Sequence, residues 1–166
     1  MAGRHDDEFA EFATGASPRL LRTAWLICGN ATQAEDLVQS AMLKVYVRWG
    51  WLRGRQPMAY ARRCILNDHI DTHRRRRRET TVSVLPEGEH HDREPEDTDA
   101  IVRLLATLPT RERQVVVMRH YAGLTEAEVA DLLDVSVGTV KSSASRGLAR
   151  LREALAAQEL KEGHHV

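Results

Sequence analysis

The sequence predicts an all-α protein made of two small helical domains joined by a flexible acidic linker. Apolar residues recur at helical spacing through most of the chain, whereas no stretch keeps the alternation of a β-strand. Aromatic residues make up only 5% of the chain, which suits small helical bundles better than a large sheet. We therefore place an amino-terminal domain of three to four helices at residues 6–78, the linker at 79–99, and a carboxy-terminal four-helix domain at 100–157.

The linker is predicted from its composition. Pro86, Gly88 and Pro95 interrupt regular structure, and few apolar residues follow Leu85. Between residues 79 and 99 there are eight acidic side chains against one arginine. Such a segment buries too little apolar surface to fold by itself, so we expect it to be flexible.

In the amino-terminal domain, the first helix is expected to be short. Residues 1–7 look frayed, and the helix around Phe9 should end near Gly15. Ser17 followed by Pro18 is typical of an N-cap with proline at the first helical position, so a new helix is predicted there.

Glycines and caps divide the rest of this domain. Gly29 should stop the second helix, and the T-x-x-E spacing of Thr32 and Glu35 predicts a capping box at the start of the next. Gly50–Gln56 is interpreted as a loop, and Pro57 should open the helix that ends in the arginine run.

The charges are segregated along the chain, although the formal net charge is zero. Between Lys44 and Arg78 there are eleven basic side chains against two acidic ones, and five of the basic ones form the run Arg74–Arg78. Adjacent like charges destabilise a helix by repulsion. A phosphate partner for this run is therefore favoured over a merely solvated helix end, which indicates a nucleic-acid surface.

In the carboxy-terminal domain, helices should resume near Thr98, break at Pro109, and continue over Arg111–Tyr121. The capping-box spacing of Thr125 and Glu128 then predicts a further helix start.

The last two helices are predicted to form a helix-turn-helix. Asp134 breaks the first of them, and Ser136 is a natural N-cap for the second. Small and polar residues open that second helix, as entry into a major groove requires, whereas an ordinary helical hairpin is the alternative. The candidate DNA contacts are Ser136, Val137, Gly138, Thr139, Lys141, Ser142 and Arg146.

Side chains suited to an unpaired base gather in the loop after Trp49. Holding a base outside the duplex takes a stacking surface, hydrogen-bonding groups and cations. Trp51, Arg53, Arg55, Gln56 and Tyr60 are of these types. Core packing is the interpretation for Trp49, and it remains the alternative for Trp51 and Tyr60.

Both halves resemble bacterial RNA polymerase sigma factors of the extracytoplasmic-function (ECF) type, and the small actinobacterial branch is most similar. The resemblance rests on AEDLVQSAMLKVY and YARRCILNDHIDTHRRRR in the first half. In the second half it rests on LPTRERQVVVMRHYAGLTEAEVADLLDVSVGTVKS. It covers the chain from about Phe9 to Leu155 and implies a factor that binds core polymerase, directs it to specific promoters and assists DNA melting.

The resemblance also implies roles for residues. The polymerase clamp helices would be bound by Asp36, Gln39, Ser40 and Lys44, although the family usually has an acid where this chain has Ser40. The −10 element would be read by Trp51, Arg53, Arg55, Gln56, Tyr60, Arg62, Arg63, Asn67 and Arg74. The helix-turn-helix would read the −35 element and touch the polymerase flap. Asp134 replaces a common family glycine, and aspartate tolerates a left-handed backbone.

Two other classes of function are alternatives to a sigma factor. A stand-alone repressor or activator would use the same helix-turn-helix but bind duplex DNA tightly without polymerase. An enzyme acting on nucleic acid is disfavoured, because the sequence has no H-E-x-x-H, glycine-rich phosphate loop or G-x-S-x-G. No cofactor or metal is expected, since His90 and His91 have no cysteine near them to complete a zinc site.

The remaining partners and the location follow from composition and from the resemblance. Cys28 and Cys64 are far apart and are expected to be reduced thiols, and no run is apolar enough for membrane insertion. We expect a soluble cytoplasmic protein. Many sigma factors of this type are held by an anti-sigma protein, which makes such a protein a candidate partner beside core polymerase and promoter DNA.

Overall fold

The computed structural model describes residues 2–82 and 100–164, and every regular element in these ranges is helical. The all-α prediction is therefore confirmed, while most of the predicted linker, including His90 and His91, lies outside the described residues. The helices are α1 (Ala2–Cys28), α2 (Ala31–Val47), α3 (Trp49–Leu52), α4 (Pro57–Val82), α5 (Ala100–Ala106), α6 (Thr110–Val116), α7 (Glu126–Leu133) and α8 (Val137–Glu162). A π-helical turn at Val117–Tyr121 continues α6.

The first helix is longer than the sequence predicts. Residues 2–28 form one continuous helix with Pro18 inside it, so the frayed start and the break near Gly15 are both wrong. An internal proline costs about 3 kcal/mol because it removes a hydrogen bond and crowds the preceding turn. Burial of Leu20 and Ala24 beyond the proline, together with Phe9 before it on the same core, offsets that cost.

The start of α2 also differs from the prediction. Asn30 is the N-cap, and its side chain accepts a hydrogen bond from the Gln33 amide at 2.8 Å, so Thr32 lies within the first turn instead of capping it. Gly29, with φ of 71°, ends α1 as predicted and turns the chain directly into this cap. The predicted loop at 50–56 likewise begins with a helical turn, α3.

Two hydrophobic cores hold the helices together. The amino-terminal core lies among α1, α2, α3 and α4, and its fully buried members include Leu20, Val45 and Ile65. The second core is built mainly by α5 to α8, but α1 and α4 contribute Leu26, Ile27 and Leu66 to it. The two halves of the chain are therefore packed against each other.

Replacing Gly147 with alanine is expected to destabilise the protein by about 1–3 kcal/mol. Gly147 is buried in α8 where the helix crosses α6, and an added Cβ would lie 2.8 Å from Val116 Cγ2. Denaturant unfolding measures the effect. The control is Gly138→Ala, whose Cβ would make an ordinary contact 3.8 Å from Ser136 Oγ. Equal stability of the two variants would contradict the close packing of α6 on α8.

Candidate nucleic-acid interface

The helix-turn-helix forms as the sequence predicts. The Thr125 hydroxyl accepts the Glu128 amide at 3.1 Å, and the Glu128 carboxylate accepts the Thr125 amide at 2.7 Å, which completes the capping box. Asp134 takes the left-handed conformation, with φ 55° and ψ 50°, and ends α7. Ser136 then caps α8 by accepting the Thr139 amide at 3.1 Å.

The amino end of α8 presents the predicted DNA contacts together on the surface. Lys141 is the long cation of this set, and its Nζ lies 3.8 Å from Glu126 Oε2 on α7. A pair this long and this exposed stabilises little, so the lysine can exchange its partner for a base or a phosphate. All seven members of the set are exposed, and those at this end of the helix are Ser136, Val137, Gly138, Thr139, Lys141 and Ser142.

Arg146 lies further along α8 and contacts α6. Its Nε is 3.6 Å from Glu112 Oε1, and Arg150 Nε is 3.0 Å from Glu112 Oε2. Glu112 is buried, whereas both arginine side chains are more than half exposed. Two partially exposed cations thus lie over one buried carboxylate, an arrangement whose net positive charge suits a phosphate.

The loop after α3 exposes an indole. Trp51 is 59% exposed, so core packing is excluded for it, whereas Trp49 is buried as predicted. The Arg55 guanidinium lies 5.2 Å from the centre of the Trp51 ring in a cation–π contact. Gly54 and Gln56, on either side of Arg55, both have positive φ.

The other members of the predicted −10 set lie in different environments. Arg53 is bound by α1 through Glu8 and His5, a contact that the sequence did not indicate. Tyr60 is partly buried beneath Arg48, whose guanidinium is 5.7 Å from its ring centre. Burial lowers the pKa of the Arg62 guanidinium, and nearby Arg19 lowers it further.

The remaining three residues of the predicted −10 set lie on one face of α4. Arg63, Asn67 and Arg74 are exposed at spacings of four and seven residues, which places them on one side of the helix. Arg63 Nη2 is 3.2 Å from Asp131 Oδ2, so this predicted −10 residue touches helix α7 of the other half.

The predicted polymerase contacts form a row on α2. Asp36, Gln39 and Lys44 are exposed, and Ser40 is half-buried because its hydroxyl donates to Asp68 Oδ2 at 3.1 Å. Lys44 Nζ also binds Asp68, at 2.8 and 2.9 Å to its two oxygens. Asp68 on α4 thus places a carboxylate beside Ser40, the position where the family usually has an acidic residue.

Sequence reasoning missed an apolar strip beside this row. Leu43 is 64% exposed and Val47 is 76% exposed, both on α2. They line a groove between α2 and α4 together with Tyr60 and Asn67. The signal was present in the sequence, because Leu43 lies seven residues after Asp36 and Val47 lies three after Lys44, which puts both apolar side chains on the polar side of the helix.

A polar cluster is buried where the halves meet. Arg113 of α6 donates from Nη1 to the Ile27 carbonyl at 2.7 Å and from Nη2 to the Leu108 carbonyl at 3.0 Å. The Gln114 amide nitrogen lies 3.2 Å from Nδ1 of the buried His69 on α4. Burial, with the nearby cations of Arg113, His73 and Arg76, lowers the pKa of His69 to about 4, so its ring is neutral near pH 7.

The described ranges, 2–82 and 100–164, contain neither a membrane-spanning helix nor a cluster of metal ligands. No helix there is long and apolar enough to cross a membrane. Residues 2–82 and 100–164 also hold no group of three or more histidine, cysteine or acidic side chains placed to bind a metal ion.

The chain matches two family models and shows clear relatives. Sigma-70 region 2 matches residues 14–79, and Sigma-70, region 4 matches residues 98–151. The RNA polymerase sigma-E factor of Streptomyces coelicolor is 35% identical over 157 residues, which cover 92% of this chain and 89% of that protein. The RNA polymerase sigma-E factor of Streptomyces avermitilis is also 35% identical, over 92% of this chain and 88% of its own length.

A solved structure has the same fold. The sigma factor RpoE from Bartonella quintana, in complex with the anti-sigma factor NepR, superposes with a TM-score of 0.75 at 24% sequence identity. The match covers 90% of this chain and 97% of that chain.

A region 2 domain followed by a region 4 domain with a helix-turn-helix defines a transcription initiation factor of the sigma-70 class. The chain belongs to the ECF RNA polymerase sigma factors. It binds RNA polymerase and promoter DNA and directs promoter-specific initiation of transcription.

Proposed function

We propose that the two halves of this sigma factor divide promoter recognition between them. Residues 6–78 dock on the polymerase clamp helices, read the −10 element and assist melting, and residues 100–157 read the −35 element and touch the flap. The linker 79–99 connects them. The proposal rests on the exposure of Trp51, which has the guanidinium of Arg55 over its ring. An aromatic ring that does not pack in a core offers a stacking surface for an unpaired base.

The −35 element is read by the amino end of α8. Lys141 donates to guanine O6 and N7, while Thr139 and Ser142 reach bases or phosphates. Arg146, one turn further along and beside Glu112, contacts the backbone. The exposure of these side chains at a capped helix end supports this assignment.

Core polymerase is bound by the row Asp36, Gln39, Ser40 and Lys44 on α2. The carboxylate of Asp68 lies within hydrogen-bond distance of Ser40 and Lys44, which keeps a negative charge on this surface despite the serine. The apolar strip of Leu43 and Val47 extends the same face. Buried apolar area with a polar rim is the usual composition of a protein interface.

Reading both elements requires the two halves to separate. The −35 and −10 elements are about 25 base pairs apart, which is about 85 Å of straight duplex. A compact chain of this length has a radius of gyration of only about 15 Å. The packing of Leu66 against the second core and the Arg63–Asp131 pair must therefore break in the promoter complex.

The chain acts in the cytoplasm with polymerase and has no enzymatic activity of its own. Its relatives are transcription initiation factors, which supports this view. An anti-sigma protein is a further partner, a proposal supported by the RpoE complex with NepR.

A footprinting comparison tests the division of roles. Free protein should bind duplex promoter DNA weakly, whereas the protein with core polymerase should protect both the −35 and the −10 elements. Core polymerase alone is the control. A tight footprint by the free protein, unchanged by core polymerase, would instead identify a stand-alone repressor or activator.

Lys141→Glu is expected to weaken holoenzyme binding at promoters with an intact −35 element by about tenfold or more. Loss of a bidentate base contact costs about 1–3 kcal/mol, and the reversed charge repels phosphate. Footprinting of the −35 element measures this loss. Lys161→Glu at the far end of α8 makes the same charge change and should leave the footprint intact. An unaltered −35 footprint for Lys141→Glu removes Lys141 from the site.

A further inference from the structure

The first turns of α1 lie against the loop that is proposed to read the −10 element. Arg53 Nη1 donates to Glu8 Oε2 at 3.0 Å and lies 3.3 Å from His5 Nε2. The Tyr46 hydroxyl donates to Asp6 Oδ1 at 3.0 Å. These α1 residues precede residue 14, where the region 2 match begins, so the matched region does not define their role.

Aromatic packing fixes the position of these turns. The Phe9 ring lies edge-on to Tyr46 at 5.0 Å and to Trp49 at 5.5 Å between ring centres, and Phe12 is 5.3 Å from Trp49. Since Trp49 is buried and begins α3, this packing ties α1 to the base of the loop. Glu8, one residue before Phe9, is thereby held over Arg53.

The contact leaves Arg53 able to bind a second partner. Both contacts with α1 use Nη1, and the Arg53 side chain is 44% exposed. Glu8 is itself shared, because its Oε1 lies 3.6 Å from Arg4 Nε. A guanidinium has a planar fork of five donors, so a carboxylate at one nitrogen restrains the group while the other donors stay available to a phosphate or a base.

We propose that Glu8 is a positioning residue for recognition of the −10 element. It orients Arg53, two residues from Trp51 in the same loop, so that both side chains meet the unpaired strand. This inference rests on the proposed function. It predicts that loss of the Glu8 carboxylate impairs melting. A different role, in which the acid competes with DNA for Arg53, predicts faster melting and tighter DNA binding.

The test uses holoenzyme and permanganate reactivity of the −10 thymines. Glu8→Gln should reduce the rate of melting by about 1.4- to 5-fold, which corresponds to the 0.2–1 kcal/mol typical of a partly exposed ion pair, while the −35 footprint stays intact. Glu11→Gln on the same helix is the matched control and should melt DNA as the wild type does. Arg53→Gln should lower melting further, and adding Glu8→Gln to it should cause no additional loss.

A variant with the two charges exchanged distinguishes a positioning role of Glu8 from a purely structural role of the Glu8–Arg53 ion pair. Glu8→Arg combined with Arg53→Glu restores the ion pair but places an acid on the loop. If the ion pair is purely structural, the exchanged variant should melt promoter DNA as the wild type does. If Glu8 positions Arg53, the exchange should restore thermal stability but not DNA melting. Wild-type or faster melting by Glu8→Gln, or full rescue by the exchange, would overturn the inference. Absence of melting by wild-type holoenzyme would instead refute the proposed function.

Discussion

Replacing Trp51 with alanine is expected to slow promoter melting by the holoenzyme by about 5- to 150-fold. Stacking of a base on an aromatic side chain is worth about 1–3 kcal/mol, and Trp51 has its ring exposed for such a contact. The effect should be confined to melting, because a stacking surface acts only after a base has left the duplex. Permanganate reactivity of the −10 thymines measures melting, and footprinting at low temperature measures the closed complex.

Two control variants define the contribution of the ring. Trp51→Phe keeps a stacking surface and should retain most of the melting rate. Leu160→Ala removes another exposed apolar side chain, far along α8, and should have no effect. Melting by Trp51→Ala at the wild-type rate would mean that the loop has only a structural role.

The packing of the two halves against each other is expected to weaken as the pH falls from about 6.5 to about 4. His69 has its pKa lowered to about 4 between α4 and α6, whereas a solvated histidine titrates near 6.5. The packing of the two halves against each other therefore has its full stability above pH 6.5. This stability falls progressively between pH 6.5 and pH 4, as the His69 ring takes up a proton. Below pH 4 the ring is protonated, and His69 causes no further change in stability. At about 1.4 kcal/mol for each pH unit between the two pKa values, the loss is on the order of 3 kcal/mol.

Protonation of His69 weakens this packing because the side chains around its imidazole ring are hydrogen-bond donors and cations. Neutral His69 accepts at Nδ1 from the Gln114 amide, and a protonated ring would offer a donor there instead. The charged ring would also face Arg113 of α6 and, on α4, His73 and Arg76.

Small-angle scattering of the free protein from pH 7.5 to pH 5 tests this prediction. The radius of gyration should increase in the wild type as the halves part. The variant His69→Gln lacks the titrating ring and should change little over the same range. A wild-type radius that stays constant, or an equal expansion in His69→Gln, would contradict the role of His69.

Local sequence signals predicted the helix-turn-helix closely. Thr125, Glu128 and Ser136 act through hydrogen bonds to amides three residues away, so the sequence contains both partners of each cap. Asp134 takes the left-handed conformation for an equally local reason, since its short polar side chain tolerates positive φ.

Local signals misled where tertiary packing outweighed them. Ser17 and Pro18 have the pattern of a helix start, yet α1 runs through them because residues on both sides pack into one core. Asn30 displaced Thr32 as the cap because the left-handed Gly29 directly precedes it. The strength of a local pattern does not reveal which of two adjacent candidates the fold will use.

Contacts between residues far apart in the chain could not be predicted from the sequence. Glu8 and Arg53 are 45 positions apart, and Arg63 and Asp131 are 68 apart. No periodicity relates such pairs, because their meeting depends on how the helices pack.

Run-off transcription with purified core polymerase tests the central claim most directly. Core polymerase plus the wild-type chain should yield discrete transcripts from a subset of genomic fragments, and core polymerase alone should not. The variant Lys141→Glu should reduce transcripts from those promoters that need the −35 element, and Trp51→Ala should reduce transcripts from all of them. Transcripts that are the same with and without the chain would contradict the account.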